Sequence, residues 1–301
     1  MEKKVAVLIS TYNGEKYIKE QLDSILSQTY KNIEIVIRDD GSEDSTTHII
    51  EEYQKIHNNI KLIKDVNIGF IKSFFQLLNI AEADYYAYCD QDDIWFDNKI
   101  SLAVEKLNEL DNSKPNMVFG NSDYYDENMN LISKGEIHKT YSFINSLYEC
   151  VAQGMTMTIN NATKKIIIDN IPEKCLFHDW WTYMICSGMG NVVYNDEVTV
   201  KYRRLQKNAT AEGQNALKVL LWRIDHLVSD NQMKDIRIQQ QEYKKMFYNK
   251  LSDENKNVLD IFVQDKYNFF NAVKKLFWCH KIRRKTIDDL MVRILFIFGI
   301  L

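Results

Sequence analysis

The sequence predicts an α/β fold on a mostly parallel sheet, followed by a helical C-terminal extension. Three observations predict it. Apolar runs of strand length alternate with segments of helical periodicity four times before residue 93, the pattern of a parallel sheet with helices on both faces. Three of those runs empty directly into polar clusters, at the carboxyl strand ends where an open α/β sheet holds its ligand. From about Asn215 the strand signal stops and long charged stretches of helical character remain.

Each element has its own signal. Val5 to Ser10 is a continuous apolar run ending at Thr11-Tyr12-Asn13-Gly14, as suits a strand covered on both faces. Ile18, Leu22, Ile25 and Leu26 then share one face of a helix from about Glu15 to Gln28. Ile33 to Ile37 forms a second strand that ends at Arg38-Asp39-Asp40-Gly41-Ser42, and Ser45 is placed to N-cap a helix carrying Ile49, Ile50, Tyr53 and Ile56. A strand at Ile60 to Ile63, a helix at about Ile71 to Ala81 and a strand at Tyr85 to Cys89 lead into Asp90-Gln91-Asp92-Asp93. After Leu110 the alternation loosens, with strands expected at Met117 to Phe119, Met155 to Ile159 and Val192 to Tyr194, and a helix starting near His178. A boundary near residue 210 divides an α/β unit, 1–210, from a helical region, 211–301.

Composition narrows the class. With 45% hydrophobic residues, 10 Gly and 2 Pro in 301 residues, collagen-like, low-complexity and disordered chains are excluded. A net charge of −4 argues against a nucleic-acid-binding surface. That average hides two parts, since residues 271–301 carry four Lys and three Arg against two Asp. The five cysteines form no CxxC pair and the six histidines are scattered, so neither a disulfide framework nor a zinc site is expected, and the thiols suit a reducing compartment. The apolar run after Met1-Glu2-Lys3-Lys4 is too short for a signal peptide and reads as a retained strand.

The polar clusters carry the chemistry. Asp90, Asp92 and Asp93, on a turn after an apolar strand, either seat Mg²⁺ or Mn²⁺ or serve as a solvated cap on the helix that begins near Asp97; the aromatic run emptying into them favours the metal. Asp39 and Asp40 suit either a tight turn or a contact to a nucleobase or ribose. Neither a GxGxxG loop nor a GxxxxGK[ST] loop follows the first strand, which counts against a dinucleotide oxidoreductase and a Walker-type hydrolase. A diphosphate held here would need a cation instead.

Val5 to Ile18, Gln21 to Tyr30, Asp39-Asp-Gly-Ser-Glu-Asp-Ser and Cys89-Asp-Gln-Asp-Asp-Ile-Trp, in that order, closely resemble the family 2 inverting glycosyltransferases, and most of all their rhamnosyltransferase-like branch. The resemblance runs from about residue 4 to 205. It implies a GT-A fold and a reaction that moves a sugar, expected to be L-rhamnose from dTDP-L-rhamnose, from a nucleotide donor to a glycan acceptor in bacterial surface polysaccharide synthesis. By position it implies that Thr11, Tyr12 and Glu15 lie along the nucleotide and that Asp39 meets the base or ribose. Asp90 and Asp92 match the family's DxD acids, with Asp92 the direct metal ligand and Asp93 beside the sugar or the metal's waters. Asp179, in His178-Asp179-Trp180-Trp181, matches the catalytic base; by residue type alone this cluster is a helix N-terminus with core tryptophans. An inverting displacement needs one carboxylate to take the acceptor hydroxyl's proton. Gly154, His178 and Trp180 are weaker matches to an acceptor or sugar pocket. Tyr202-Arg203-Arg204-Leu205 has Leu205 where the family has a histidine, so either Arg203, Arg204 or Lys207 meets the diphosphate or metal dependence is weaker.

In the tail, Lys274, Lys275, Lys281, Arg283, Arg284, Lys285 and Arg293 alternate with Leu276-Phe277-Trp278 and an apolar end. Its last twelve residues would reach only ~18 Å as a helix, against a hydrocarbon core of ~30 Å. The expectation is a basic amphipathic helix on an anionic membrane, holding the enzyme at the inner face of the cell membrane beside a lipid-linked acceptor; packing against the catalytic unit is the alternative. A UDP-hexose or UDP-N-acetylhexosamine donor, a nucleotide enzyme of another class and a non-catalytic assembly partner are the competing functional readings.

Overall fold

A computed structural model describes residues 2–205 and 232–299. The sheet runs in the order β3-β2-β1-β4-β8-β6-β9-β5, with β7 paired to β6. Its first half holds β1 (Val5–Thr11), β2 (Ile33–Asp39), β3 (Ile60–Lys64) and β4 (Tyr85–Cys89), all parallel. The helices α1 (Ile18–Leu26), α2 (Thr46–Ile56) and α3 (Phe70–Ile80) supply the crossovers. Val5 to Ile9 are all fully buried, which is why this strand reads as an unbroken apolar run. Each Val, Leu or Ile side chain so withdrawn from water contributes about 1.5–3 kcal/mol.

Strand order reverses at β1, with β2 on one side and β4 on the other, and a crevice opens there at the carboxyl edge. The register pairs Thr11 with Asp39 and Ile9 with Cys89, bringing the polar turns after β1, β2 and β4 to one edge.

The second half is mixed. After β5 (Ile94–Trp95) and α4 (Lys99–Asn108), the long strands β6 (Asn116–Tyr125) and β9 (Asn191–Arg203) run parallel, with β8 (Met157–Asn160) antiparallel between β6 and β4. The expected strand at Met155 starts two residues later, because Gly154–Thr156 is a 3₁₀ turn. The short elements β5, β7 (Leu131–Ser133), α5 (Phe143–Ser146) and α6 (Asn161–Asp169) had no sequence signal. Ser45 stands at the N-cap of α2 without a side-chain bond; Asp44 does the capping, its Oδ1 accepting from the Thr46 N–H at 2.9 Å.

The boundary expected near residue 210 lies outside the described residues. Beyond it, helices at Gln232–Phe247, Asp253–Phe262, Phe269–Leu276 and Thr286–Ile297 share one continuous core with α5 and α7 (His178–Met189). Trp181, fully buried, meets Tyr243 and Phe247 at 5.9 and 6.0 Å between ring centroids.

The tail departs from the single amphipathic helix expected. It is a hairpin of two short helices, and several of its cations are spent inside the protein. Lys275 is buried over the Phe296 ring at 4.8 Å. Arg293 pairs with Asp289 at 2.7 Å and donates to the carbonyls of Leu276, Trp278 and His280.

Candidate active site

Two cavities open at the carboxyl edge of the sheet, and they share a wall made of Phe70, Asp90 and Tyr202. The first, about 510 Å³, is lined by Ser10, Tyr12, Asp40, Gln91 and Asp92 among others. The second, about 630 Å³, lies toward α7 and the helical region and includes Gly154, His178, Asp179 and Trp180.

Turn chemistry builds the first cavity. Gln91 clamps the turn after β1, its Oε1 accepting from the Tyr12 N–H at 2.9 Å and its Nε2 donating to the Tyr12 carbonyl at 3.1 Å. Gly14 makes room for this clamp, since a Cβ there would sit 2.3 Å from Gln91 Oε1. Asp40 is buried, accepts from the Ile68 and Gly69 N–H groups at 2.8 and 2.9 Å and pairs with Arg38, so it shapes the turn that presents Phe70.

Thr11, Asp39 and Glu15 do not line this cavity. The buried Thr11 hydroxyl donates to Asp39 Oδ1 at 2.9 Å, and Asp39 also accepts from the Ser42 hydroxyl and N–H, so both hold the loop together. Glu15 turns toward α2, accepting from the Ser45 N–H at 2.8 Å.

The acid turn divides its labour. Asp90 and Asp92 face the cavity. Burial, then the charges of Asp92 and Asp179, push the Asp90 carboxyl up to about 7, and burial raises Asp92 as well. Asp93 is fully buried and lines neither cavity, apart from the position beside the sugar or the metal's waters that the resemblance implies. Its Oδ1 accepts from the Arg203 N–H at 3.0 Å and its Oδ2 has no partner; burial and its two acidic neighbours push it well above the usual carboxylate range.

Arg203 likewise braces the site from behind. It is 2% exposed, donates to the Asp92 and Glu127 carbonyls at 2.8 Å each, pairs with Glu20 and lies 4.6 Å over the Tyr17 ring. Arg204 stacks over Tyr124, and Lys207 lies outside the described residues. Among the described residues no group of three or more acidic, His or Cys side chains could cage a metal. Asp90 and Asp92 alone suit a divalent cation of the Mg²⁺ type, which takes one or two carboxylates and completes its shell with substrate phosphates and water.

Asp179 sits in the first turn of α7. Its Oδ2 accepts from the Gly154 N–H at 3.0 Å and its Oδ1 from the Trp180 N–H at 2.7 Å. Burial lifts its carboxyl to about 6 against the pull of these bonds. Trp180 lines the cavity while its Nε1 donates to the Ser146 carbonyl at 2.6 Å. His178 is boxed by aromatic rings, stacked on Phe74 at 3.9 Å and edge-on to Tyr88 at 4.7 Å, with neither ring nitrogen partnered. Burial lowers its pKa to about 3, so the imidazole is neutral.

A parallel half-sheet with an acidic turn at its switch point, joined without a break to a second half that carries another carboxylate, is the architecture of a GT-A glycosyltransferase. Residues 6–178, more than half of the chain, match the family described as Glycosyl transferase family 2. The chain belongs to that family and is a glycosyltransferase. It is 33% identical over 223 residues to the dTDP-rhamnosyl transferase RfbG of Shigella flexneri, a match covering 66% of this chain and 72% of that one. It is 32% identical over 128 residues to the glycosyltransferase GlyG of Streptococcus pneumoniae, covering 42% of each, and it spans only 21% of an uncharacterized glycosyltransferase of Rickettsia conorii. Among solved structures, residues 1–349 of S. aureus TarS in complex with UDP-GlcNAc superpose with a TM-score of 0.57 at 19% identity, over 98% of this chain and 92% of that one, a likeness of fold.

Proposed function

We propose that this glycosyltransferase moves L-rhamnose from dTDP-L-rhamnose, with inversion, onto a lipid-linked glycan in surface polysaccharide synthesis. The observation that carries the reading is the meeting of the two cavities at Asp90, with Asp179 on the far side of that wall. The donor occupies the first cavity and the acceptor the second. Asp179 accepts the proton of the acceptor hydroxyl as that oxygen bonds to the anomeric carbon and the bond to the nucleoside diphosphate breaks on the opposite face. The Gly154 and Trp180 N–H groups hold the carboxylate in place before the acceptor arrives. Asp90 and Asp92 would hold Mg²⁺ or Mn²⁺, which, when bound, supplies positive charge to the leaving diphosphate. The donor sugar rests on the likeness to the Shigella dTDP-rhamnosyl transferase.

The hairpin supports a place on the inner face of the cell membrane. Phe270 and Phe277 are each 78% exposed and Phe298 72%, with Ile287 and Leu290 also in solvent beside the exposed Lys266, Lys274 and Lys281. Apolar side chains flanked by lysines suit an anionic bilayer surface. No helix among the described residues is long and apolar enough to cross a membrane.

The test is a donor panel of dTDP-L-rhamnose, UDP-glucose, UDP-galactose and UDP-N-acetylglucosamine, with and without Mn²⁺, read as nucleoside diphosphate release. Preferential, metal-stimulated release from dTDP-L-rhamnose is expected. Release from a UDP-sugar instead would reassign the donor, and silence across the panel would remove the activity.

A further inference from the structure

We infer that Arg283 is the anion-binding residue of the acceptor cavity, and that the acceptor carries a phosphate group close to the hydroxyl that is glycosylated. This deepens the glycosyltransfer reading and rests on it. Among the described residues, the second cavity is lined by three carboxylates, Asp90, Glu149 and Asp179, and one cation, Arg283. That cation comes from residues 277–285, the loop between the helices Phe269–Leu276 and Thr286–Ile297, more than a hundred residues after Asp179 in the chain.

Every neighbouring cation of that loop is engaged. Arg284 and Lys285 pair with Glu136 at 3.5 and 3.3 Å, and Lys281 donates to the Thr286 hydroxyl at 3.1 Å. Glu149 is taken by the Arg284 N–H at 2.7 Å, with the Arg284 Nε 4.0 Å away. The Asp179 oxygens are held by backbone N–H groups. The Arg283 guanidinium has no hydrogen-bond or ion-pair partner among the described residues, and its Nε is shut off from solvent. A buried, unmet donor of a charged group is costly, and a site that awaits an anionic ligand accounts for it.

The backbone that carries Arg283 is pinned at the edge of the cavity. Asp289 Oδ1 accepts from the Ile282 and Arg283 N–H groups at 2.6 and 3.0 Å, and its Oδ2 is held by Arg293 at 2.7 Å. Ile282 is fully buried and its carbonyl accepts from Asn145 Nδ2 at 3.1 Å. A guanidinium matches a phosphate through two parallel N–H···O bonds. It lines the cavity of Asp179 and Gly154, not that of Tyr12, Gln91 and Asp92, which assigns the phosphate to the acceptor and not to the donor. The same loop, which itself exposes Phe277, joins the two helices that expose Phe270 and Leu290, so a glycan linked through phosphate to a membrane lipid would reach both.

The test uses the full chain and isothermal titration calorimetry. Wild type, Arg283→Gln and Arg283→Lys are titrated with dTDP plus Mn²⁺ and then, with that mixture saturating, with geranyl diphosphate or inorganic pyrophosphate. Arg283→Gln should weaken geranyl diphosphate about tenfold or more, Arg283→Lys less, with dTDP affinity and thermal midpoint unchanged. A preference for geranyl diphosphate over pyrophosphate marks a lipid-linked phosphate, and equal binding marks a phosphate within the glycan. Equal affinities of wild type and Arg283→Gln, no phosphate binding by wild type, or a parallel loss of dTDP affinity would each overturn the assignment. Failure of wild type to bind dTDP would count against the donor reading alone, because the phosphate comparison is still read without it.

Discussion

The Gly154 N–H donates to Asp179 Oδ2 at 3.0 Å, and a Cβ added at residue 154 would lie 3.3 Å from that same oxygen and equally close to His178 Nε2. One residue thus orients the carboxylate and leaves it room. The contact joins the 3₁₀ turn before β8 to the first turn of α7, two segments that sequence alone does not relate.

Asp179→Asn should abolish transfer, with a loss of about 10²–10⁴-fold as expected of a missing general base, while dTDP binding changes little. The carboxyl of Asp179 stands at about 6, and the base acts when deprotonated, so kcat/KM should rise with pH through about 6 and then level. A profile flat from pH 5 to 8, or turnover unchanged in the Asn variant, would take Asp179 out of the reaction.

Gly154→Ala keeps the amide donor but crowds Asp179 and His178, whose side chains would have to give by a few tenths of an ångström. Displacing a catalytic group by that amount is expected to lower kcat about tenfold, with KM for the donor unchanged. Donor KM and kcat measured together separate this from a general loss of structure.

Arg203→Ala removes the guanidinium that ties the Asp92 carbonyl to Glu127 and Glu20. A drop of about 2 kcal/mol in urea unfolding is expected from the lost charged hydrogen bonds. Mn²⁺ affinity should fall with it, because the acid turn loses its brace. An unshifted urea midpoint would show that the brace carries no stability.

How far the sequence could be read follows from which faces were uniform. Val5 to Ile9 is apolar on both faces and was legible as a buried strand, and the acid turn after β4 announced itself. At the strand ends the alternation of side chains decides which neighbour faces the crevice, and there Ser10 and Asp40 line the cavity where Thr11 and Asp39 were expected. The long strands β6 and β9 show in the sequence only as the apolar pieces Met117–Phe119 and Val192–Tyr194, because Asn121-Ser122-Asp123 and Asn195-Asp196-Glu197 interrupt their apolar character and the register shifts within their pairing. Gln91 is hidden because its partner is a backbone group seventy-nine residues earlier, and Arg283 because no pattern in the chain links a loop of the tail to the cavity of Asp179, more than a hundred residues before it.

That foot is itself testable. Phe270 and Phe277 are 78% exposed, so replacing both with Glu removes little packing and should leave the thermal midpoint nearly unchanged. Lys275 and Arg293 are committed to the protein interior, so the exposed apolar side chains, more than net charge, should carry the attachment. The double variant is therefore expected to stay in the supernatant with vesicles containing phosphatidylglycerol that sediment the wild type. Wild-type binding should survive a rise in salt better than that of a purely electrostatic contact, whose range shrinks to ~3 Å at 1 M. Co-sedimentation of the double variant equal to wild type would place the membrane contact elsewhere on the protein.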